Sequence, residues 1–200
     1  MITENMILAS GSPRRKELLE QVGIPIRVCP SQVEEKVNSQ IPYEVVLELS
    51  AQKAEDIAAK SPTGSVILGA DTVVASEGRI LGKPKTHQEA AEMITGLQGK
   101  KHEVYTGVTL ILKTQDGMEG TSFYEKTEVC VFPMTPEEIW EYADSEEPMD
   151  KAGAYGIQGK FAAYIQGISG DYTNVVGLPV GRVCQELKKL LKEQRGEQND

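Results

Sequence analysis

Apolar positions along the chain fall into short runs and helical stripes that take turns. Residues 6–9 are apolar and precede Ser10-Gly11-Ser12-Pro13, which predicts a strand, a tight turn and a helix with Ser12 as N-cap and Pro13 in its first position. Leu18, Leu19 and Val22 give this helix its apolar stripe, and Gly23 ends it. Residues 26–29 read as a second strand; Val46, Leu49 and Ile57 at helical spacing predict a helix from about residue 43 to 59. Residues 66–75 are almost continuously apolar and β-branched, the pattern of a buried central strand. The turn Ser76-Glu77-Gly78-Arg79 leads to a short strand at Ile80-Leu81. Thr86 with Glu89 and Thr135 with Glu138 form capping boxes, the first opening a helix over residues 87–97. Residues 103–113 and 121–132, joined around Gln115-Asp116-Gly117, predict a hairpin.

Residues 145–179 are rich in Gly, Tyr and small side chains, which predicts loops and short strands before a last helix over about 180–192. Helices and strands alternate early and strands pair later, so the fold class is α/β with a mixed central sheet and flanking helices. Residues 1–195 are expected to form a single domain, with 196–200 as a polar tail. A net charge of −9 disfavours nucleic acid and anionic membranes as partners. Cys29, Cys130 and Cys184 are widely spaced and odd in number, without a metal-ligand pattern, which fits a reducing, cytoplasmic location. The first residues lack the basic region of a signal peptide, and no apolar run approaches the ~18 residues of a membrane span.

Several residues break local rules. Arg14-Arg15-Lys16 places three cations in the first turn of a helix, where the backbone already carries roughly half a positive charge. An anion at that helix end would satisfy them; otherwise they form a solvated cluster. Asp71 interrupts the apolar strand, and an isolated buried carboxylate there would cost several kcal/mol. It is either a base or metal ligand, or it ends the strand. Lys53 falls on the apolar stripe of its helix, from which it either snorkels out or reaches an acidic or phosphate group. Lys83 and Lys85 flank Pro84, which stiffens the loop. Glu34 and Glu35 follow the second strand and could join Asp71 around Mg²⁺, or lie in solvent. Gln158, in a glycine-rich setting, can donate and accept toward a base edge. His87 and His102 are too isolated for a zinc site and are expected to face solvent. P-loop, GxGxxG, HExxH and GxSxG motifs are absent, and the aromatic residues form no RNA-stacking run.

Leu8-Ala9-Ser10-Gly11-Ser12-Pro13-Arg14-Arg15, Gly69-Ala70-Asp71-Thr72-Val73-Val74, Gly82-Lys83-Pro84, Asp150-Lys151-Ala152-Gly153-Ala154-Tyr155-Gly156-Ile157-Gln158-Gly159 and Asn174-Val175-Val176-Gly177-Leu178-Pro179 together resemble the Maf family of nucleoside triphosphate pyrophosphatases. The resemblance implies a two-lobed, ITPase-like fold with a central cleft. It also implies hydrolysis of a nucleoside triphosphate to the monophosphate and pyrophosphate with a divalent metal, Mg²⁺ or Mn²⁺. Position by position, Asp71 matches the proton acceptor, Ser12, Arg15, Lys53 and Lys83 the phosphate-contacting set, and Glu35 the acidic residue that joins Asp71 at the metal. Arg14, Thr72 and Gln158 match the positions that separate subfamilies, in a combination similar to the branch hydrolysing dTTP and UTP. Modified pyrimidine nucleotides and a homodimer come with the same resemblance. The alternative is a non-catalytic, nucleotide-binding regulator of septum formation and cell division. A pure sensor has no need to keep Asp71 together with Glu35, Lys53 and Lys83.

Overall fold

The structure is a computed structural model that describes residues 6–194; the expected tail at 196–200 lies outside the described residues. Seven strands among the described residues form one mixed sheet. Its order is β2(Ile26–Val28), β1(Met6–Leu8), β3(Val66–Ser76), β5(Lys101–Lys113), β6(Met118–Val131), β7(Ile165–Ser169), with β4(Arg79–Leu81) paired to β3. β1 runs parallel to both β2 and β3, with Met6 opposite Ile26 on one side and Val66 on the other. β3–β4 and β6–β7 are antiparallel. The chain divides into two compact units: 6–71, 106–124 and 177–194 make one, and 72–105 with 125–176 the other. The division therefore falls between Asp71 and Thr72, inside β3.

In the first unit, helix α1(Pro13–Gln21) starts at Pro13 as expected, but the Ser12 hydroxyl does not cap it. Ser12 instead donates its own N–H to Ser10 Oγ at 3.3 Å, which tightens the turn that enters the helix. Gly23, at φ +73°, closes the helix with Gly23 N–H to Glu20 O and Ile24 N–H to Leu19 O. Helix α2(Pro42–Lys60) lies flat on the sheet because Gly69 of β3 and Gly107 of β5 offer it bare backbone. A Cβ on Gly69 would collide with Ser50 O and Ala54, and one on Gly107 with the Val46 carbonyl. The core beneath α2 is Ile7, Ala9, Ala54, Ile57, Ala58, Ile67 and Ile111, with half-buried Cys29 against it. Helix α6(Val180–Gln194) buries Val183, Leu187 and Leu190 on one face.

In the second unit, the β3–β4 turn has Glu77 at φ +49° and Gly78 at φ +77°, the pair of left-handed residues that suits a two-residue hairpin. Helix α3(His87–Leu97) packs against α4(Pro136–Ala143). The Thr135–Glu138 capping box forms in full. The one at Thr86 forms by half: Thr86 Oγ1 accepts from Glu89 N–H, but the Glu89 carboxylate takes the Lys85 N–H, one residue upstream of the expected donor. Between α4 and β7 the chain makes three short 3₁₀ turns, and α5(Tyr172–Val176) follows β7. Phe161 is fully buried there, with Tyr142, Tyr155 and Tyr164 around it at ring distances of 5.0, 4.8 and 5.7 Å. The aromatic residues that formed no stacking run in the sequence thus build the core of this loop-rich stretch.

Both histidines depart from the solvent exposure expected of them. His87 is half-buried, with Nδ1 2.7 Å from the Ala143 carbonyl, so it ties α3 to α4. His102 is 2% exposed, with Nε2 2.7 Å from Tyr155 Oη and, among the described residues, no partner for Nδ1. Burial lowers its pKa from 6.5 to about 4. Between those two values the unfolded chain binds a proton that the folded chain refuses, so stability falls as pH drops from about 6.5 toward 4. The expected loss is roughly 1.4 kcal/mol per pH unit over that window. Urea midpoints at pH 7 and pH 5 for wild type and His102→Asn check it; an equal acid loss in both proteins would count against His102 as the source.

Candidate active site

The site is built in the first unit from three local structures: the turn entering α1, the middle of α2 and the end of β3's run in that unit. Parallel pairing of β1 with β3 sets Leu8 opposite Leu68, which brings the turn after β1 level with Ala70 and Asp71. Arg15 then points inward. It is 8% exposed, and its guanidinium donates from Nε to Gly177 O at 2.8 Å and from Nη1 to Ser10 Oγ and Ala70 O, both at 2.9 Å. Burial lowers its pKa, the negative charges of Asp71 and Glu35 oppose that, and Arg14 adds to it. One cation of the expected phosphate set is therefore also a staple joining β1, β3 and the segment before α6. Arg15→Lys cannot keep all three hydrogen bonds. An expected loss of about 2 kcal/mol, from buried carbonyls left unpaired, is checked by the urea midpoint. Arg14 beside it is half-buried, and Lys16 pairs with Glu20 at 3.6 Å on the outer face of the helix.

Asp71 lies in the middle of β3, which runs on to Ser76 instead of ending there, and is only 16% exposed at its side chain. The open alternatives for it and for Lys53 close together: Lys53 Nζ, itself 15% exposed, donates to Asp71 Oδ1 at 2.5 Å. The same ammonium lies 3.0 Å from Glu35 Oε1, on the extended segment after β2. Lys53 therefore neither snorkels out nor stands alone; it holds two carboxylates that are 36 residues apart in the chain. Glu34 and Glu35 are both exposed, and of the adjacent pair it is Glu35 that turns toward Lys53.

These groups suit a hard divalent ion. Asp71 and Glu35 present carboxylate oxygens that already converge on one positive charge, and Mg²⁺ or Mn²⁺ is commonly held by one or two carboxylates with phosphate oxygens and water completing its shell. Among the described residues no group of three or more His, Cys, Asp or Glu forms a closed metal cage. A metal here would depend on the substrate for the rest of its ligands.

Lys83, Thr72 and Gln158 belong to the second unit. Lys83 is exposed beside buried Pro84, and Thr72 is half-buried directly after Asp71. Gln158 is exposed on a loop fastened from below by residues that the sequence did not single out. Glu147 accepts from Tyr142 Oη at 3.0 Å and from Lys160 N–H at 2.9 Å, and Tyr142 Oη accepts from Gly156 N–H at 3.3 Å. A Cβ on Gly159 would occupy the place of the Glu147 carboxylate. Gly153, at φ +69°, lies on Val74 and donates its N–H to Gly82 O at 3.0 Å, linking the Asp-Lys-Ala-Gly-Ala-Tyr stretch to the loop that carries Lys83. The glycines at 156 and 159 are the legible signal; their tyrosyl and acidic partners, Tyr142 and Glu147, are not.

A family model described as Maf-like protein matches residues 5–190. The chain belongs to the Maf family. Among its relatives are proteins named dTTP/UTP pyrophosphatase from Agathobacter rectalis, 52% identical over 92% of this chain and 97% of that one, and from Lachnoclostridium phytofermentans, 52% identical over 92% and 94%. One from Bacillus cereus with the same name is 51% identical over 92% and 95%. Among solved structures, the Staphylococcus aureus Ham1 protein matches 64% of this chain and 72% of its own at 14% identity, with a TM-score of 0.44. For this Maf-family chain, no described helix is long and apolar enough to cross a membrane.

Proposed function

We propose that this Maf-family protein is a nucleoside triphosphate pyrophosphatase acting on dTTP and UTP, and that residues 1–195 work as one functional domain in the cytoplasm. The observation that carries the reading is Lys53 bridging Asp71 and Glu35 at 2.5 and 3.0 Å, beside the buried Arg15. Such a cluster has no structural need for two carboxylates; it makes sense where a polyphosphate and a cation exchange partners with it. The relatives named dTTP/UTP pyrophosphatase support the base class. Modified pyrimidine nucleotides belong to the same substrate class, and a net charge of −9 argues against polymeric anions. A homodimer is part of the proposal.

In the proposed reaction Asp71 takes a proton from a water whose oxygen attacks the α-phosphorus. The bond from that phosphorus to the bridging oxygen breaks, and pyrophosphate leaves. Lys53, Arg15, Lys83 and the Ser12 turn neutralise and orient the phosphate oxygens as charge moves onto the leaving group. Lys53 changes partners during the reaction: it holds Asp71 and Glu35 until phosphate arrives, then shares its charge with the phosphate. A divalent ion held by Asp71 and Glu35 would supply further charge neutralisation at the phosphates. Arg14, Thr72 and Gln158 read the pyrimidine, with Gln158 donating to and accepting from its edge.

Pyrophosphate release from dTTP, UTP, m⁵UTP, pseudo-UTP, CTP, ITP and m⁷GTP, each with Mg²⁺ and Mn²⁺, tests the reading. Preference for dTTP and UTP and their modified forms is expected. Tight binding without turnover of any of them would favour the nucleotide-binding regulator instead.

A further inference from the structure

The segment between β2 and α2 carries Glu35 yet has no strand or helix of its own over residues 29–41. An exposed, irregular segment is a poor mount for a residue that must meet Asp71 with sub-ångström regularity. Its hydrogen bonds to α2, from backbone and hydroxyl groups, go to side chains at positions 44, 48, 52 and 56, four residues apart and so on one helical face. Asp56 Oδ2 accepts from Ser31 Oγ at 2.7 Å and from Gln32 N–H at 3.2 Å. Glu48 Oε2 accepts from Asn38 N–H at 2.9 Å, and Glu44 Oε2 from Ser39 Oγ at 2.6 Å. The segment runs antiparallel to the helix. Four helical residues rise ~6 Å, close to the span of two extended ones, so the step from Gln52 to Glu48 matches the step from Lys36 to Asn38.

Gln52 makes the central rung and differs from the others. Its Oε1 accepts from Lys36 N–H at 2.9 Å and its Nε2 donates to Lys36 O at 2.7 Å, the two-way exchange a neighbouring strand would make. Gln52 thus grips the backbone of residue 36 while Lys53, next to it on the helix, grips the side chain of residue 35. We infer that Gln52 is a positioning residue that sets Glu35 for metal and phosphate through the backbone of Lys36, with Asp56, Glu48 and Glu44 as the outer rungs of the same ladder. This rests on the proposed role of Glu35. An amide is suited to the central rung because a carboxylate could take the N–H but not donate to the carbonyl, and would add a negative charge beside Glu35.

Gln52→Met keeps side-chain length and helix propensity and deletes both hydrogen bonds. Three measurements on the full chain decide the matter. Hydrogen exchange at the Lys36 amide, without metal or nucleotide, is expected to rise about tenfold, and Mn²⁺ affinity, titrated by electron paramagnetic resonance with the metal alone, to weaken several-fold. The kcat/KM for dTTP with Mn²⁺ is expected to fall about tenfold in the wild-type background and less than about twofold in a Glu35→Gln background, because the residue acts through Glu35. Unchanged exchange, unchanged Mn²⁺ affinity, or an equal loss in both backgrounds overturns the inference. If the wild-type chain hydrolyses neither dTTP nor UTP, the proposed reaction falls by itself, and the exchange and Mn²⁺ measurements still decide for or against Gln52.

Discussion

Asp71→Asn is expected to lower kcat for dTTP by about 10²- to 10⁴-fold, the range typical of losing a general base, while KM changes little. The substitution preserves shape and leaves the amide oxygen able to accept from Lys53 Nζ, so the packing around β3 and α2 is retained. What is lost is the group proposed to take the proton of the attacking water, and with it one negative oxygen proposed for the metal. The split between kcat and KM is the informative part. A mutant that merely disordered the site would bind nucleotide poorly as well. Steady-state kinetics with dTTP, together with the melting temperature of the variant, check this. Turnover within a few-fold of wild type would remove Asp71 from the role of base.

Lys53→Met is expected to move two quantities in opposite directions. Turnover of dTTP falls by about 10²- to 10³-fold, because a pre-placed cation no longer meets the charge developing on the phosphates. Affinity for Mn²⁺ rises, because the ammonium that neutralises Asp71 and Glu35 in the resting protein has gone and the metal is left as their natural counter-ion. Methionine fills the volume of the lysine stem, so the apolar contacts on that face of α2 survive. Isothermal titration with Mn²⁺ and steady-state kinetics on the same preparation measure both. A parallel fall in turnover and metal affinity would mean that Lys53 organises the carboxylates rather than competes for them, and would contradict the exchange of partners proposed above.

Much of the architecture is legible in the amino-acid sequence. Pro13, Gly23 and the Thr135–Glu138 pair mark helix ends by local chemistry, and their positions hold. The continuous apolar run of β3 announced a central strand because a strand covered on both faces has no polar side to show. Asp71 and Lys53 stood out for the same reason: each is an ionisable side chain where an apolar one was due. Ionic partners are not legible, because any cation would serve Asp71, and the choice of Lys53 depends on α2 lying close against β3 over Gly69. His102 shows the limit from the other side. Its place in β5 gives no sign of its partner; only the fold packs it against Tyr155, and the resulting burial lowers its pKa.

The amino-acid order alone determined the family, the element types, and which side chains were out of place, since these depend on spacing along one strand or helix and on local caps. Tertiary structure decided which displaced charges meet. It seats Lys53 between Asp71 and Glu35, turns Arg15 inward as a staple, and lays an irregular segment along four rungs of a helix. Those outcomes depend on distances across the fold, where a glycine's missing Cβ or a parallel register sets how closely two backbones approach. No pattern within a single element encodes that distance.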